Sequence, residues 1–243
     1  MSSLILKDGT QVEDKALDRL EEFDEKSRNF PITAVNKDKS FRSYTWRCLD
    51  WFDQGREGAC VGFALGHELA ARPAEVRGMH YDWLVRDVYW EAQKIDPWPG
   101  GSYPGANPRY DGTSILAGVK VLHKKKFFGE YRWAFGIDDL IMGLGRNGPA
   151  TLGIPWYQNM YHPDSNGYIR KGGLRVGGHA ILARAVNVRT ETITLRNSWG
   201  KSWGKDGDCY IKFHDLEALL KERGEAVFML NRTAKPDGES YQF

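Results

Sequence analysis

The sequence predicts an α+β fold in two lobes, on two observations. Its middle carries helical apolar periodicity, and its last third carries short alternating runs bounded by Gly and Pro. With 243 residues, 41% of them apolar and 27% charged, the chain can bury one sizeable core or two smaller ones that share an interface.

Residues 1–40 form a strongly charged arm, in which Val12, Leu17, Leu20 and Phe23 are spaced as one short amphipathic helix that Asn29-Phe30-Pro31 ends. This helix is expected to pack outside the main body as a fixed part of it. Residues 60–72 are apolar nearly all round, which predicts a buried helix closed by Pro73. Tyr81, Leu84, Val85, Val88, Tyr89 and Ala92 follow helical spacing. After the Gly/Pro-rich loop from Pro97 to Pro108, Thr113 or Ser114 can cap a helix carrying Ile115, Val119 and Leu122. Leu140, Ile141 and Leu144 mark a short helix over 138–144. Strands are expected over 151–154, between Pro149 and Pro155, and over 179–187, 191–197, 209–213 and 226–230. The helical lobe then spans about residues 50–135 and the β-rich lobe about 136–230, within a domain running over 41–243.

Composition excludes several classes. The net charge is +2, and the run Lys124-Lys125-Lys126 reads as a solvated helix end, so nucleic acid is not an expected partner. No apolar run approaches the roughly 18 residues of a membrane span, and Met1 to Lys7 opens no signal-like segment, so the expected location is cytoplasmic. Cys48, Cys60 and Cys209 make an odd, low count with no Cys-x-x-Cys pair, and the six histidines do not combine with them at zinc-like spacing. Neither a disulfide framework nor a metal site is expected.

The chemistry rests on three stretches. In Asp53-Gln54-Gly55-Arg56-Glu57-Gly58-Ala59-Cys60 a glycine-rich loop leads into an apolar helix that starts at Cys60. Unpaired N–H groups and the positive end of the helix dipole favour the thiolate, the nucleophilic form. A free cysteine is more often a small buried apolar residue, and the loop and helix alone do not separate the two readings. In Val176-Gly177-Gly178-His179-Ala180-Ile181, strand alternation puts His179 on the face of Ile181, Ala183 and Ala185. In Leu195-Arg196-Asn197-Ser198-Trp199-Gly200, the same alternation puts Asn197 on an apolar face, where a buried amide needs a partner such as an imidazole N–H. A Cys–His pair oriented by an amide is a known variant of the nucleophile–base–orienter triad.

Gln54-Gly55, Cys60 on a helix, Gly178-His179-Ala180 and Asn197-Ser198-Trp199-Gly200 followed by Trp203-Gly204 together resemble the papain-like cysteine peptidases, over roughly residues 45–230. Gly148-Pro149 before a strand and Asp111-Gly112-Thr113-Ser114 add to the likeness, the latter to compact bacterial and bacteriophage members. The resemblance implies a two-lobe fold with the cleft between a helical and a β-barrel-like lobe, and no cofactor. It implies Cys60 as nucleophile, His179 as base and then acid, and Asn197 as the residue orienting His179. The Gln54 amide and the Cys60 N–H would form the oxyanion hole, Trp199 would shield the His179–Asn197 pair, and Gly112 would lie beside the substrate backbone. The expected activity is hydrolysis of peptide or protein substrates through a thioester. Alternatives are an inactive papain-like binding or structural protein, and a Cys-dependent amidase or transamidase acting on cell-wall peptides. Glu57 and Val61 depart from the usual residues beside the nucleophile, so the cleft's side-chain preference is not inherited.

Overall fold

The computed structural model describes residues 3–5, 11–13, 17–22, 24–36, 38–236 and 241–243; Met1, Lys7 and Phe23 of the expectations above lie outside these. In the arm, β1 (Ser3–Ile5) pairs antiparallel with β2 (Gln11–Glu13), and β3 (Arg19–Leu20) is followed by two 3-10 turns, Glu25–Asn29 and Ile32–Val35. Then come β4 (Tyr44–Thr45) and α1 (Cys60–Ala70). One helical stretch over 81–93 follows, made of α2 (Tyr81–Trp83), a π-helical turn (Leu84–Tyr89) and α3 (Trp90–Gln93). Next are β5 (Thr113–Ser114), α4 (Ile115–Lys124), β6 (Glu130–Ala134), α5 (Ile137–Arg146) and β7 (Ala150–Tyr157). A 3-10 turn (Gln158–Tyr161), β8 (Arg175–Asn187), β9 (Thr192–Arg196), β10 (Asp208–Lys212), α6 (Phe213–Lys221) and β11 (Glu225–Leu230) complete the chain.

Seven strands form one antiparallel sheet in the order β10-β9-β8-β7-β11-β6, with β4 also paired to β8. One core lies on the side of α5 and α6 and includes Leu152, Ile154, Trp156, Ile193, Leu195 and Trp199. The other joins α1 and α4 to the opposite sheet face, through Phe63, Leu65, Leu69, Leu116, Val119 and Leu182. The fold is α+β with a helical and a strand-rich part, as predicted. No described helix is long and apolar enough to cross a membrane.

Several expectations are corrected. The arm does not form an amphipathic helix through Val12, Leu17 and Leu20: Val12 and Leu20 lie in strands, and the helical turns come later in the sequence. Strand β7 runs through Pro155, which pairs with Gly178. Its other flank carries β11 only over Thr151, Leu152 and Gly153, so past Gly153 a residue without an N–H is tolerated there. A bulge in β8 between Ala183 and Ala185 shifts the parity, so Val186 rather than Ala185 joins Ile181 and Ala183 in the barrel-side core. Phe213 starts α6 instead of ending a strand, and β6, within the expected helical lobe, pairs with β11 at the sheet edge. Ser114 is the cap of α4, its Oγ accepting from the Ala117 N–H at 3.0 Å.

Helix α1 is buried at every residue, and its polar residues are therefore bonded. Glu68 Oε2 accepts from the Thr151 N–H at 3.0 Å and the Thr151 hydroxyl at 2.6 Å, while Oε1 accepts from the Met229 N–H at 2.8 Å. His67 Nε2 accepts from the Phe52 N–H at 3.1 Å. Glu68 thus ties α1 to β7 and β11 at once. Glu68→Gln turns an NH2 toward one of these donors and is expected to cost about 1–3 kcal/mol of stability, read from urea denaturation. Arg47→Ala, which removes an exposed ion pair with Glu75, should leave the midpoint in place.

Candidate active site

Cys60 begins α1, and its thiol meets the backbone of Ala180, the residue after His179 on β8. His179 and Cys60 are wholly buried. His179 Nε2 lies 2.8 Å from Asn197 Oδ1. The same oxygen accepts from the Ser198 N–H at 2.8 Å, which can only donate, so the amide's orientation is fixed. Nε2 is therefore the donor, and in the neutral ring Nδ1 holds the lone pair. Nδ1 is buried and makes no hydrogen bond among the described residues.

Aromatic rings close the rear of this pair. Trp199 lies over His179 at 5.0 Å between ring centres, and Trp156 meets it edge-on at 4.8 Å. Tyr161 stacks on the far side of Trp199 at 5.6 Å, and Trp203 meets Trp199 edge-on. Sequence reasoning placed Trp199 here and missed Trp156. Carrying the alternation of β7 from Ile154 past Pro155 would have found it.

Gln54 is buried in the loop before α1. Its Nε2 donates to the Glu57 carbonyl at 2.9 Å, and its Oε1 accepts from the Ser198 hydroxyl at 2.6 Å. The loop that holds Gln54 is thus pinned to the segment that holds Asn197. The structure brings Cys60, His179, Asn197, Gln54 and Trp199 into one place, from α1, β8 and the two loops.

The groove above them is filled by the arm, which was expected to pack outside it. Asp18 forms a parallel bridge to Gly178, and β3 pairs parallel with β5. The Thr113 N–H donates to the Asp18 carbonyl at 3.2 Å. Gly112, at φ +93°, passes so close that a Cβ there would stand 2.1 Å from the Asp18 oxygen. Gly112 therefore lines the groove, against arm backbone. Glu21 and Glu22 carry the arm onward, Glu21 to Arg175 at 2.8 Å and Glu22 to the Ser114 hydroxyl. The signal for this lay in the glycines: Gly112, Gly177 and Gly178 leave room for a backbone on both walls.

Burial under the arm decides the protonation of the pair. It pushes the Cys60 thiol up to about 12, although backbone bonds from Ala180 and Asp18 pull it down. It pushes His179 down to about 4, against the bond to Asn197 and with a further fall from the Arg19 charge. The thiolate favoured by the helix start is not formed here, because loss of water outweighs the dipole.

No protein-family model matches the chain. Cathepsin B-like cysteine proteinase 6 of Caenorhabditis elegans is 28% identical over 120 residues, 46% of this chain and 31% of that protein. Cathepsin B-like protease 1 of Arabidopsis thaliana is 27% identical over 129 residues, 47% of this chain and 34% of that protein. The chain thus matches about a third of the length of these curated relatives. Among solved structures, xylellain, a cysteine protease from Xylella fastidiosa, superposes at a TM-score of 0.64 with 18% identity, over 92% of this chain and 99% of that one. Digestive procathepsin L 3 of the Tenebrio molitor larval midgut superposes at 0.56 with 15% identity, over 89% and 76%. The fold is the papain-like fold, and about half of the chain is similar in sequence to cathepsin B-like cysteine proteinases.

The depressed His179 sets a pH dependence. In the unfolded chain His179 takes a proton near its ordinary value of 6.5, and in the folded chain only near 4. Between these values the unfolded state binds the extra proton. Through His179, stability therefore falls as pH falls, by about 1.4 kcal/mol per unit. His179→Asn is expected to remove that slope in urea melts taken across the window.

Proposed function

We propose that the chain is a cysteine-type peptidase held latent by its own N-terminal arm. The observation that carries the reading is the fixed His179–Asn197 bond beside a cysteine at the start of a buried helix. Cys60 is the nucleophile, His179 the base, Asn197 the positioning residue, and Gln54 with the Cys60 N–H the oxyanion donors. Trp199 and Trp156 keep water from the His179–Asn197 bond, and Gly112 lies along the substrate backbone once the arm is gone.

When the arm leaves, water returns to the groove, and the cost of forming a thiolate–imidazolium pair drops. His179 Nδ1 takes the thiol proton as sulfur attacks the substrate carbonyl. The carbonyl oxygen becomes an oxyanion held by the two donors. Collapse breaks the C–N bond, His179 gives its proton to the leaving amine, and an acyl thioester remains on Cys60. A water, deprotonated by His179, attacks the thioester and releases the acid. The thiolate leaves with its proton restored from His179. Peptides or proteins are the substrates.

The filled cleft favours a second reading, a papain-like protein that binds without cutting. In the full chain, Cys60 is expected to react with iodoacetamide no faster than the buried Cys48 and Cys209. Arg19→Ala, which removes the arm's buried anchor, is expected to raise Cys60 labelling about tenfold or more and to release hydrolysis of casein-derived peptides. Adding Cys60→Ala should abolish that hydrolysis, and Gln54→Ala should lower kcat by about 10²–10³. Fast labelling without cleavage of any peptide would favour the binding protein. Products carrying an added amine would mark a transamidase.

A further inference from the structure

Behind the helical wall of the groove, Gly112 is gripped by two side chains of the stretch over 81–93. Its N–H donates to the Tyr89 hydroxyl oxygen at 2.7 Å, and its carbonyl accepts from Gln93 Nε2 at 2.9 Å. Tyr89 and Gln93 stand four positions apart on one face of that stretch, and both are buried. Gln93 Oε1 accepts from the Ser102 N–H at 2.9 Å, which can only donate, so the amide's orientation is fixed and Nε2 is the donor to Gly112. Nε2 also donates to the Tyr89 oxygen at 2.9 Å. With two N–H groups directed at that oxygen, the phenol gives its own proton to Ser102 Oγ at 3.2 Å, and Ser102 Oγ donates in turn to Gln93 Oε1 at 3.1 Å. The ring of bonds closes on neutral groups, and burial pushes the Tyr89 phenol well up, so it stays protonated.

We propose that Tyr89 and Gln93 are positioning residues of the groove, which turn the N–H of Thr113 toward the chain lying there. The inference rests on the peptidase reading for what the groove receives, and the two residues act through the backbone rather than on the reacting atoms. The Gly112–Thr113 peptide is trans, so its carbonyl and its N–H point in opposite directions. Gln93 draws the carbonyl into the helical lobe. The N–H is thereby turned outward, and it donates to the Asp18 carbonyl at 3.2 Å. Gly112, at φ +93°, has no side chain to hold this plane. The hold comes from outside, at both of its backbone groups. Thr113 is fixed from its other end, its hydroxyl donating to Asp96 Oδ2 at 2.7 Å.

The same contacts join the groove edge to the helix of the nucleophile. Tyr89 closes the π-helical turn Leu84–Tyr89, a rare element found mostly at functional sites. A Cβ on Gly62, two positions after Cys60, would stand 3.1 Å from Tyr89 Cβ, so the tyrosine packs directly on α1. One rigid phenol thus fixes the spacing between the helix that carries the sulfur and the edge that carries the Thr113 N–H. A chain bonded at that N–H is held in register with Cys60.

The test is made first in the full chain with the arm in place. Tyr89→Phe keeps the ring against Gly62 and removes the acceptor of the Gly112 N–H. Gln93→Glu keeps the acceptor of the Ser102 N–H and removes the donor to the Gly112 carbonyl. In amide hydrogen exchange, each is expected to speed Thr113 about tenfold or more relative to the amides of α5, which a general loss of stability would move as well. A Thr113 rate that is unchanged, or that rises only in step with α5, overturns the assignment; where Gln93→Glu fails to fold, Tyr89→Phe decides alone. In the chain opened by Arg19→Ala, either substitution should raise KM for casein-derived peptides about tenfold while kcat falls less, the mark of lost binding along the backbone. A fall in kcat with KM unchanged also overturns it. Faster Thr113 exchange in a chain that cleaves no peptide once opened leaves the positioning standing and removes the peptidase reading.

Discussion

A helix buried on all sides can be seated in only one way if its polar groups are to be satisfied, and α1 is such a helix. Glu68 has donors on two neighbouring strands, and only one roll and one depth of α1 against the sheet serve them all. Cys60 lies eight positions earlier on the same rigid rod, about 12 Å along its axis. Where Glu68 sits therefore sets where the sulfur sits. The sheet side is equally constrained, since β8 carries His179 between β7 and the strand that leads to Asn197. The site is the meeting of two rigid bodies whose contact is fixed some distance away from it.

That contact also explains the competition of forces on the sulfur. Open to water, a thiol at a helix start leans toward its anion; beneath the arm, the same geometry holds it neutral. The dipole and the neighbouring amides act on the same atom in both situations, and only access of water differs. The opening proposed for the site calls for no rearrangement of Cys60, His179 or Asn197, only the departure of Leu17 to Glu22 from the groove.

Much of this was legible in the sequence. Cys60, His179 and Asn197 stand in local patterns that place them (a loop before an apolar helix, a strand behind two glycines, a polar residue ending an alternation), while Gln54 and the roles of all four came from the family resemblance. The elements missed are those whose identity is decided by partners. Residues 130–134 carry mixed polarity and become a strand only because β11 offers an edge. Phe213 continues an alternation and is turned into a helix start by the end of β10. Pro155 looks like a boundary until the one-sided pairing of β7 is known. The arm misled most, because Leu17 and Leu20 sit at helical spacing while the glycines that accept them in extended form lie some hundred or more residues away.

Tethering gives the arm's occupancy a quantitative meaning. The segment in the groove is tied to the body just beyond it, by the bridge from Pro31 to Trp133 and by the buried Ile32. An occupant joined by so short a link competes at an effective concentration on the order of millimolar. A free peptide at micromolar level would have to bind about a thousandfold more tightly to displace it. The arm is thus a resident competitor for the groove, and access of a free peptide to it is governed by how often the tether lets go rather than by how much peptide surrounds it.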